Sequence, residues 1–393
     1  MIYNDTFNDD ILNFLELIND PRAEKGVRYK LKDILFLMLH AGLSGYFTAI
    51  DIKEYCDAHF DRFNKILGIK QIPSHDTFSR VYRIVDIDEV TKNIGDWLMA
   101  NYPELYTEYN GMKVLHVDGK AVKAASIHSN GENTKYLMNA MYEGGSISLY
   151  TSAVGDKENE ISKIPEYLDK FDLKDTIVTI DAIGTNKNVI DKIHDKGGKY
   201  LFQVKNNQKK VHRLIENKVK ELEDNGKFDE LDCTTKSVKN HGRIEEIKTY
   251  MIHDTSFIYK ELGLDSHFSS VAKVGIMDKI ISKKENGEYV TTKTRTFLIT
   301  DLENMSVENI QSIKLSHWNI EMQHWLLDVQ LNEDRNTAKK FNAMTNMTII
   351  KRFAIRIKNV VYGKDTTLRK FIIHNQLNFD RTTEILMKSP NEE

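Results

Sequence analysis

The spacing of apolar residues changes near residue 110, and this change constrains the fold more than any other feature. Before it, apolar residues in segments such as 29–45 recur at helical spacing, and few strand patterns occur. After it come short apolar runs at 112–122, 175–185 and 197–208, the last two separated by a predicted helix. Strand, helix and strand in this order indicate a mixed α/β sheet with at least one parallel pair.

The same patterning divides the chain into predicted domains. An all-α domain covers residues 1–105, an α/β domain covers 106–375, and a C-terminal tail covers 376–393. Helices are predicted from about residue 305 until the polar end, KSPNEE. Within the α/β domain, residues 220–300 are rich in strand patterns and polar turns. A chain of 393 residues is long enough for two or three such units.

One segment of the helical domain, at 72–85, has two interpretations. Ser74 or Asp76 can cap a helix whose apolar residues, among them Phe78 and Val81, fall on one side. The pattern resembles the second helix of a helix-turn-helix. An ordinary capped amphipathic helix is the favoured interpretation, because capping and amphipathicity occur in most helices.

The net charge of −3 argues against nucleic-acid binding only until it is divided along the chain. Residues 1–110 hold 12 basic and 18 acidic residues, so the remainder carries a net positive charge. Residues 335–370 hold ten basic residues and one acidic residue, and 186–213 hold eight and two. Such stretches can contact phosphate, although a solvated helix face has the same composition.

Two aspartates stand at the ends of apolar strands. Asp118 follows the run 114–117 and Asp181 follows 177–180. A buried carboxylate is costly unless it is paired, hydrogen-bonded or bound to a metal. Sites in open α/β sheets form beyond the carboxyl ends of strands, where two carboxylates suit Mg²⁺. A structural aspartate at a strand end is the alternative.

A third candidate acid lies in the segment 317–334. At 100° per residue, four polar side chains form a narrow stripe that bulky apolar residues flank, which indicates an internal cleft. A buried hydrogen-bond network is the alternative. A zinc site is disfavoured, because the two histidines are two turns and about 10 Å apart. The stripe consists of His317, Glu321, His324 and Asp328.

Targeting signals and disulfides are not predicted. Cys56 and Cys233 are too few and too far apart for a disulfide framework or a cysteine metal site. The N-terminal segment is acidic, and no apolar stretch reaches the length of a membrane span. These observations predict a cytoplasmic protein.

The chain resembles the ISAs1 family of insertion-sequence transposases, which is related to the H-repeat-associated proteins. The similarity covers nearly the whole length and rests on several motifs in the family's order. They include IPSHDTFSRV, VDGKAVK, VTIDAIGTNKNVIDKI, GGKYLFQVKNNQ, HGRIE and HWNIEMQHWLLDVQLNED.

The resemblance implies a ribonuclease-H-like catalytic core with a β-rich insertion at 220–300. It implies that Asp118, Asp181 and Glu321 are catalytic and hold two Mg²⁺ ions, for which Mn²⁺ can substitute. Double-stranded DNA is the implied partner, bound by a homodimer in the bacterial cytosol or nucleoid, with no membrane involved. We assign phosphate contacts, as a hypothesis, to Lys120, Lys205, Lys209, Lys210, His241 and Arg243.

The motifs also depart from the family's pattern. Residues 123–125 read Lys-Ala-Ala where family members tend to have Arg-Gly-Ser, and 322–323 also differ. Neither change affects a predicted metal ligand. Two alternatives to a transposase stay open: a nuclease without strand transfer, and a DNA-binding protein derived from a transposase.

Overall fold

The computed structural model describes most of the chain in two compact units. The described residues are 10–23, 27–102, 107–122, 135–143, 153–154, 157–240, 243–263, 266–285, 288–318, 325–332, 341–363 and 366–387. One unit draws on Met1–Thr107, Gly119–Asp156 and Glu321–Glu393, and the other on Glu108–Asp118 and Lys157–Ile320.

The first unit is mainly helical. Side chains cap several of its helices: Thr48, Ser74 and Asp86 each accept a hydrogen bond from a backbone N–H of the first turn. The helices before residue 102 are α1 (Ile11–Glu16), α2 (Leu31–Leu43), α3 (Ala49–Ala58), α4 (Phe60–Leu67), α5 (His75–Ile84) and α6 (Ile87–Asn101).

The core of this unit is shared by helices from the two ends of the chain. Helix α2 is buried along nearly its whole length, as expected for a helix that is apolar on all sides. A Cβ atom on Gly42 would lie 2.3 Å from Cγ2 of Ile350, so glycine permits the close approach of a later helix. The later helices are α12 (Phe341–Val361), α13 (Leu368–Leu377) and α14 (Phe379–Leu386), numbered after those of the second unit.

Hydrogen bonds tie the same two regions together. Asn346 donates to the carbonyl groups of Tyr82 and Val85 at 3.0 and 3.1 Å, where α5 ends. Asn375 donates to the carbonyl of Leu43 at 2.9 Å. These amides satisfy carbonyl groups at helix ends that would otherwise need water. Apolar residues of the N- and C-terminal helices likewise belong to one buried cluster.

Part of the predicted C-terminal tail belongs to this core. Residues 376–386 are almost entirely helical, and Leu386 is fully buried in the helical core. The boundaries at 105 and 375 stay predictions of how the sequence divides, whereas the compact units combine segments from both ends. Local periodicity cannot reveal which distant segment covers an apolar face.

The second unit contains a mixed sheet. Its strands follow the order β2, β5, β6, β10, β9, β8 and β7, with β1 paired to β2. β2, β5 and β6 are parallel, and the remaining pairs are antiparallel. The strands are β1 (Glu108–Tyr109), β2 (Met112–Val122), β5 (Thr176–Ile180), β6 (Lys199–Val204), β7 (Asp232–Asn240), β8 (Arg243–Ile252), β9 (Lys273–Glu285) and β10 (Glu288–Thr300).

Helices connect and cover these strands. α8 joins the parallel strands β5 and β6, which confirms the predicted strand–helix–strand order. The strands predicted within 220–300 are present, and β10 pairs with β6, so they extend the same sheet. The helices of this unit are α7 (Lys157–Leu168), α8 (Lys187–Asp195), α9 (Lys209–Asp224), α10 (Ser256–Leu262) and α11 (Val307–Ser316).

The first unit also contains two strands. β3 (Lys135–Tyr142) and β4 (Ala153–Val154) are antiparallel, with Tyr136 opposite Val154. The predicted mixed α/β class with N-terminal helices is confirmed. No helix in the described ranges has the length and apolar character needed to cross a membrane.

Candidate active site

Adjacent parallel strands bring the two candidate aspartates together. In the register of β2 and β5, His116 lies opposite Thr179 and Val117 lies opposite Ile180. Asp118 and Asp181 are therefore the next pair along these strands. Because side chains alternate, the aspartates lie on the same face of the sheet as His116 and Thr179. Both carboxylates are partly buried.

A buried network of four polar side chains lies one register position before the aspartates. The Thr179 hydroxyl is 2.7 Å from Nδ1 of His116 and 2.8 Å from Nδ1 of His317. Nε2 of His116 is 3.2 Å from Oγ of Ser316. The network therefore joins β2, β5 and the end of α11. We call His116, Thr179, Ser316 and His317 the histidine network.

Hydrogen bonds link the members of this network in a chain. Ser316 contacts Nε2 of His116 and donates to the carbonyl of Ile313 at 2.9 Å. The Thr179 hydroxyl contacts Nδ1 of His116 and Nδ1 of His317. The chain of contacts therefore fixes how these side chains are oriented near the two aspartates.

His317 belongs to the predicted polar stripe, whereas His116 and Thr179 were not predicted as site residues. His116 is completely buried and Thr179 nearly so. The sequence does contain a signal for them, because each is a polar residue inside an apolar strand. Each stands two positions before a candidate aspartate and therefore lies on the same face of the sheet as that aspartate.

The turn after Asp181 is held by two amide side chains. Residues Ala182–Gly184 form a 3₁₀ turn. Asn207 donates to the carbonyl of Ala182 at 2.5 Å, and Gln208 donates to that of Thr185. These amides follow β6, so the KNNQ segment fixes the backbone next to Asp181. In the sequence this segment is part of the family resemblance and carries no sign of this role.

Glycine is required in the same turn. A Cβ atom on Gly184 would lie 2.2 Å from Cγ2 of Ile180, the residue before Asp181. A contact that short forces the strand end or the turn to shift. Close packing against Ile180 therefore explains why glycine occupies position 184.

The segment of the third predicted acid is described only in part. Helix α11 ends at Ser316, followed by the buried His317, whereas Glu321 and His324 lie outside the described residues. A π-helix at Leu326–Gln330 contains the partly buried Asp328, where a regular α-helix was predicted. Single π turns are frequent at functional sites.

Of the apolar residues predicted to enclose the polar stripe, Leu327 and Leu331 are buried, whereas three others are more exposed than expected. Trp318, Trp325 and Val329 keep 37, 48 and 57 % of their surface exposed. The amine of Lys279 lies 4.2 Å above the Trp318 ring, within the range of a cation–π contact. Burial, followed by the nearby Arg243, lowers the pKa of Lys279.

The described side chains supply only part of a metal site. In these ranges, no three histidine, cysteine or carboxylate side chains come close enough to hold an ion together. Two carboxylates on adjacent strands suit a hard divalent cation, which prefers oxygen ligands and keeps several waters. Asp118 and Asp181 therefore fit the predicted cofactor, and Glu321 lies outside the described residues.

The predicted DNA contacts divide into two groups. Lys205 follows β6, and Lys209 and Lys210 begin α9. These three exposed lysines flank Asn207 and Gln208, the two residues that hold the turn after Asp181. Arg243 is instead paired with Glu245, which also contacts Lys279 at 3.0 Å. Lys120 lies in β2, but its side chain is not among those described. His241 lies outside the described residues.

Two family models together match most of this chain. Residues 109–357 match the family described as "Transposase DDE domain", and residues 12–98 match "DDE_Tnp_1-associated". The chain is 28 % identical over 356 residues to the "H repeat-associated putative transposase YhhI" of Escherichia coli K12, covering 88 % of this chain and 89 % of that protein.

A second relative in the same organism is shorter. The "H repeat-associated putative transposase YbfD" is 30 % identical over 247 residues, covering 62 % of this chain and 94 % of that protein. The family match includes Asp118 and Asp181 and spans well over half of the chain. The chain therefore belongs to the DDE transposase family.

Proposed function

We propose that this enzyme cleaves and joins DNA at the ends of its own insertion sequence by two-metal-ion phosphoryl transfer. The observation that carries the proposal is the register of β2 and β5, which makes Asp118 and Asp181 adjacent on one face. Neighbouring strands lie about 4.8 Å apart, so two such carboxylates can bind ions that share a substrate phosphate.

Asp118, Asp181 and Glu321 are the proposed ligands of two Mg²⁺ ions, with Mn²⁺ as a substitute. When bound, such ions lower the pKa of an attacking water or 3′-hydroxyl and stabilise the leaving oxygen. The histidine network orients the strand ends that carry the two aspartates. Asn207 holds the turn after Asp181, and Lys205, Lys209 and Lys210 supply positive charge for the DNA.

The ribonuclease-H-like core is part of this proposal. Support comes from the parallel strands β2, β5 and β6, with α8 crossing between the last two. The acids at the carboxyl ends of adjacent strands are consistent with it. A homodimer on double-stranded DNA and a cytoplasmic location stay predictions from the resemblance.

The test is Mg²⁺-dependent cleavage and joining of a duplex from the DNA bordering the gene. We expect Asp118→Asn, Asp181→Asn and Glu321→Gln each to abolish both reactions while DNA binding persists. Asp195→Asn is the control, because this exposed carboxylate lies at the end of α8. Near wild-type cleavage by any folded acid variant removes that residue from the site.

A pre-cleaved end separates the alternatives. A duplex with an exposed 3′-hydroxyl, supplied with target DNA and Mg²⁺, gives joined products with a transposase. Cleavage without joining identifies a nuclease, and binding without either reaction identifies a non-catalytic derivative.

A further inference from the structure

A basic groove lies in the helical unit, far in sequence from the candidate acids. Its volume is about 710 Å³, and it runs between the segment before α2, helix α3 and one face of α5. Among the described residues that line it, four are basic and none is acidic. The basic residues are Arg22, Arg28, Lys53 and Arg80.

Two of these cations are held by neighbours. The guanidinium of Arg22 donates to both carboxylate oxygens of Asp20, at 2.8 and 2.6 Å. Lys53 donates to Asp57 one helical turn away. These pairs position the two side chains along the groove, and each carboxylate offsets the charge of its cation.

The other two cations are available to a ligand. Arg28 and Arg80 are exposed, and in the described part of the chain neither has an ion-pair partner. Exposed guanidinium groups donate several hydrogen bonds and match phosphate in a bidentate geometry. The groove thus combines two fixed and two available cations.

The positive groove stands out against the charge of its surroundings. Residues 1–110 hold 18 acidic and 12 basic residues, so a random surface patch here would be acidic. The two exposed arginines, with no carboxylate among the described lining residues, therefore make this groove a local anion site. The groove is much larger than one phosphate group, which favours an extended polyanion.

The shape of α5 favours a duplex. Phe78, Val81 and Tyr82 bury one side of this helix, and Arg80 and Arg83 lie on its exposed side. A helix of ten residues is about 15 Å long, and the DNA major groove, about 12 Å wide, admits an α-helix. Gln71, Ser74 and Thr77 line the same groove and can hydrogen-bond to phosphate oxygens.

We infer that this groove binds the phosphate backbone of double-stranded DNA, with α5 facing the duplex. The inference rests on the proposed function, in which DNA is the substrate, and it gives the N-terminal helices a role. It agrees with the first of the two interpretations of residues 72–85. The groove is a binding surface separate from Asp118 and Asp181 in sequence, so it can be tested without catalysis.

The experiment measures binding of full-length protein to a fluorescein-labelled duplex from the DNA bordering the gene, by anisotropy, with EDTA present. We expect Arg28→Glu and Arg80→Glu each to weaken binding about tenfold and to reduce the slope of log Kd against log[NaCl] by about 1. Arg80→Gln is the milder variant, and circular dichroism checks the fold.

Lys65→Glu is the matched control, because this exposed lysine lies in the last turn of α4 and is not among the groove residues. If the groove variants bind DNA with the affinity and salt slope of the control, the inference is overturned, and an acidic protein segment becomes the candidate occupant. That failure leaves cleavage by the wild-type chain intact. Conversely, weakened binding with no Mg²⁺-dependent cleavage by the wild type supports the groove and rejects the proposed function.

Discussion

The hydroxyl oxygen of Thr179 lies 2.8 Å from Nδ1 of His317, which joins the middle strand of the parallel set to the residue after α11. The same oxygen contacts Nδ1 of His116 on β2. One small side chain therefore links three elements in a region without solvent access. Its position, two residues before Asp181, makes it the most informative site for mutation.

Thr179→Val should lower both stability and activity. Valine has nearly the shape of threonine but leaves Nδ1 of His116 and of His317 without the hydroxyl between them. Unsatisfied buried groups cost about 1–3 kcal/mol, so the free energy of unfolding should fall by that amount in urea titrations. Thr179→Ser keeps the hydroxyl and should restore most of the cleavage rate. Equal rates for the valine and serine variants would show that the hydrogen bonds are not needed.

Asn207→Ala should slow cleavage without weakening DNA binding. The amide of Asn207 holds the carbonyl of Ala182, next to Asp181. Small displacements of a catalytic group can lower rates by about tenfold to a hundredfold, which single-turnover cleavage at saturating DNA measures. Asn206→Ala removes the neighbouring exposed amide and serves as the control. Indistinguishable rates for the two variants would contradict a positioning role.

Lys209→Glu should weaken DNA binding and its dependence on salt. Lys209 is exposed at the start of α9, close in sequence to the turn-holding Asn207. Losing one phosphate contact reduces the salt slope by about 1. Lys220→Glu, an exposed lysine further along the same helix, should leave the slope unchanged. The two slopes are compared in anisotropy titrations, and a common value rules out direct contact by Lys209.

His40 should make the helical unit sensitive to acid. Burial, and secondly the nearby His59, lowers the pKa of His40 to about 3. Its ring contacts the Tyr55 hydroxyl at 3.0 Å and the Thr383 hydroxyl at 3.1 Å, so it links both ends of the chain. The folded protein keeps His40 neutral while the unfolded chain takes up a proton below its ordinary pKa.

The stabilisation from neutral His40 is therefore complete above about pH 6.5 and is lost as the pH falls toward 3. Its contribution to the free energy of unfolding should decrease by about 1.4 kcal/mol per pH unit across that window. Urea titrations at several pH values measure the free energy of unfolding, which should depend less steeply on pH for His40→Gln than for wild type. The exposed His374 gives the control variant His374→Gln, expected to keep the wild-type dependence.

Local patterns predicted the elements of the sheet and the two aspartates. Apolar runs that end in Asp118 and Asp181 can be recognised in the sequence, because side chains alternate along a strand and strands end at turns. The pairing that makes the two acids neighbours is a long-range contact. Periodicity predicts that each strand exists but does not give its partner or register.

Other features depend on contacts that no local pattern encodes. His116 was missed because a single polar residue in an apolar run carries no sign of Ser316, its partner 200 residues later. The π-helix at Leu326–Gln330 was predicted as a regular helix, since the two share nearly the same apolar spacing.

The shared helical core has a consequence for synthesis on the ribosome. Helix α2 is covered by α12, which starts at Phe341, so the apolar surface of the N-terminal helices stays incomplete until the C-terminal region emerges. At 5–20 residues per second, about 10 to 50 s separate the two ends of this core. A gene copy truncated before this region would therefore yield N-terminal helices that expose apolar surface, and such a product is a substrate for proteolysis.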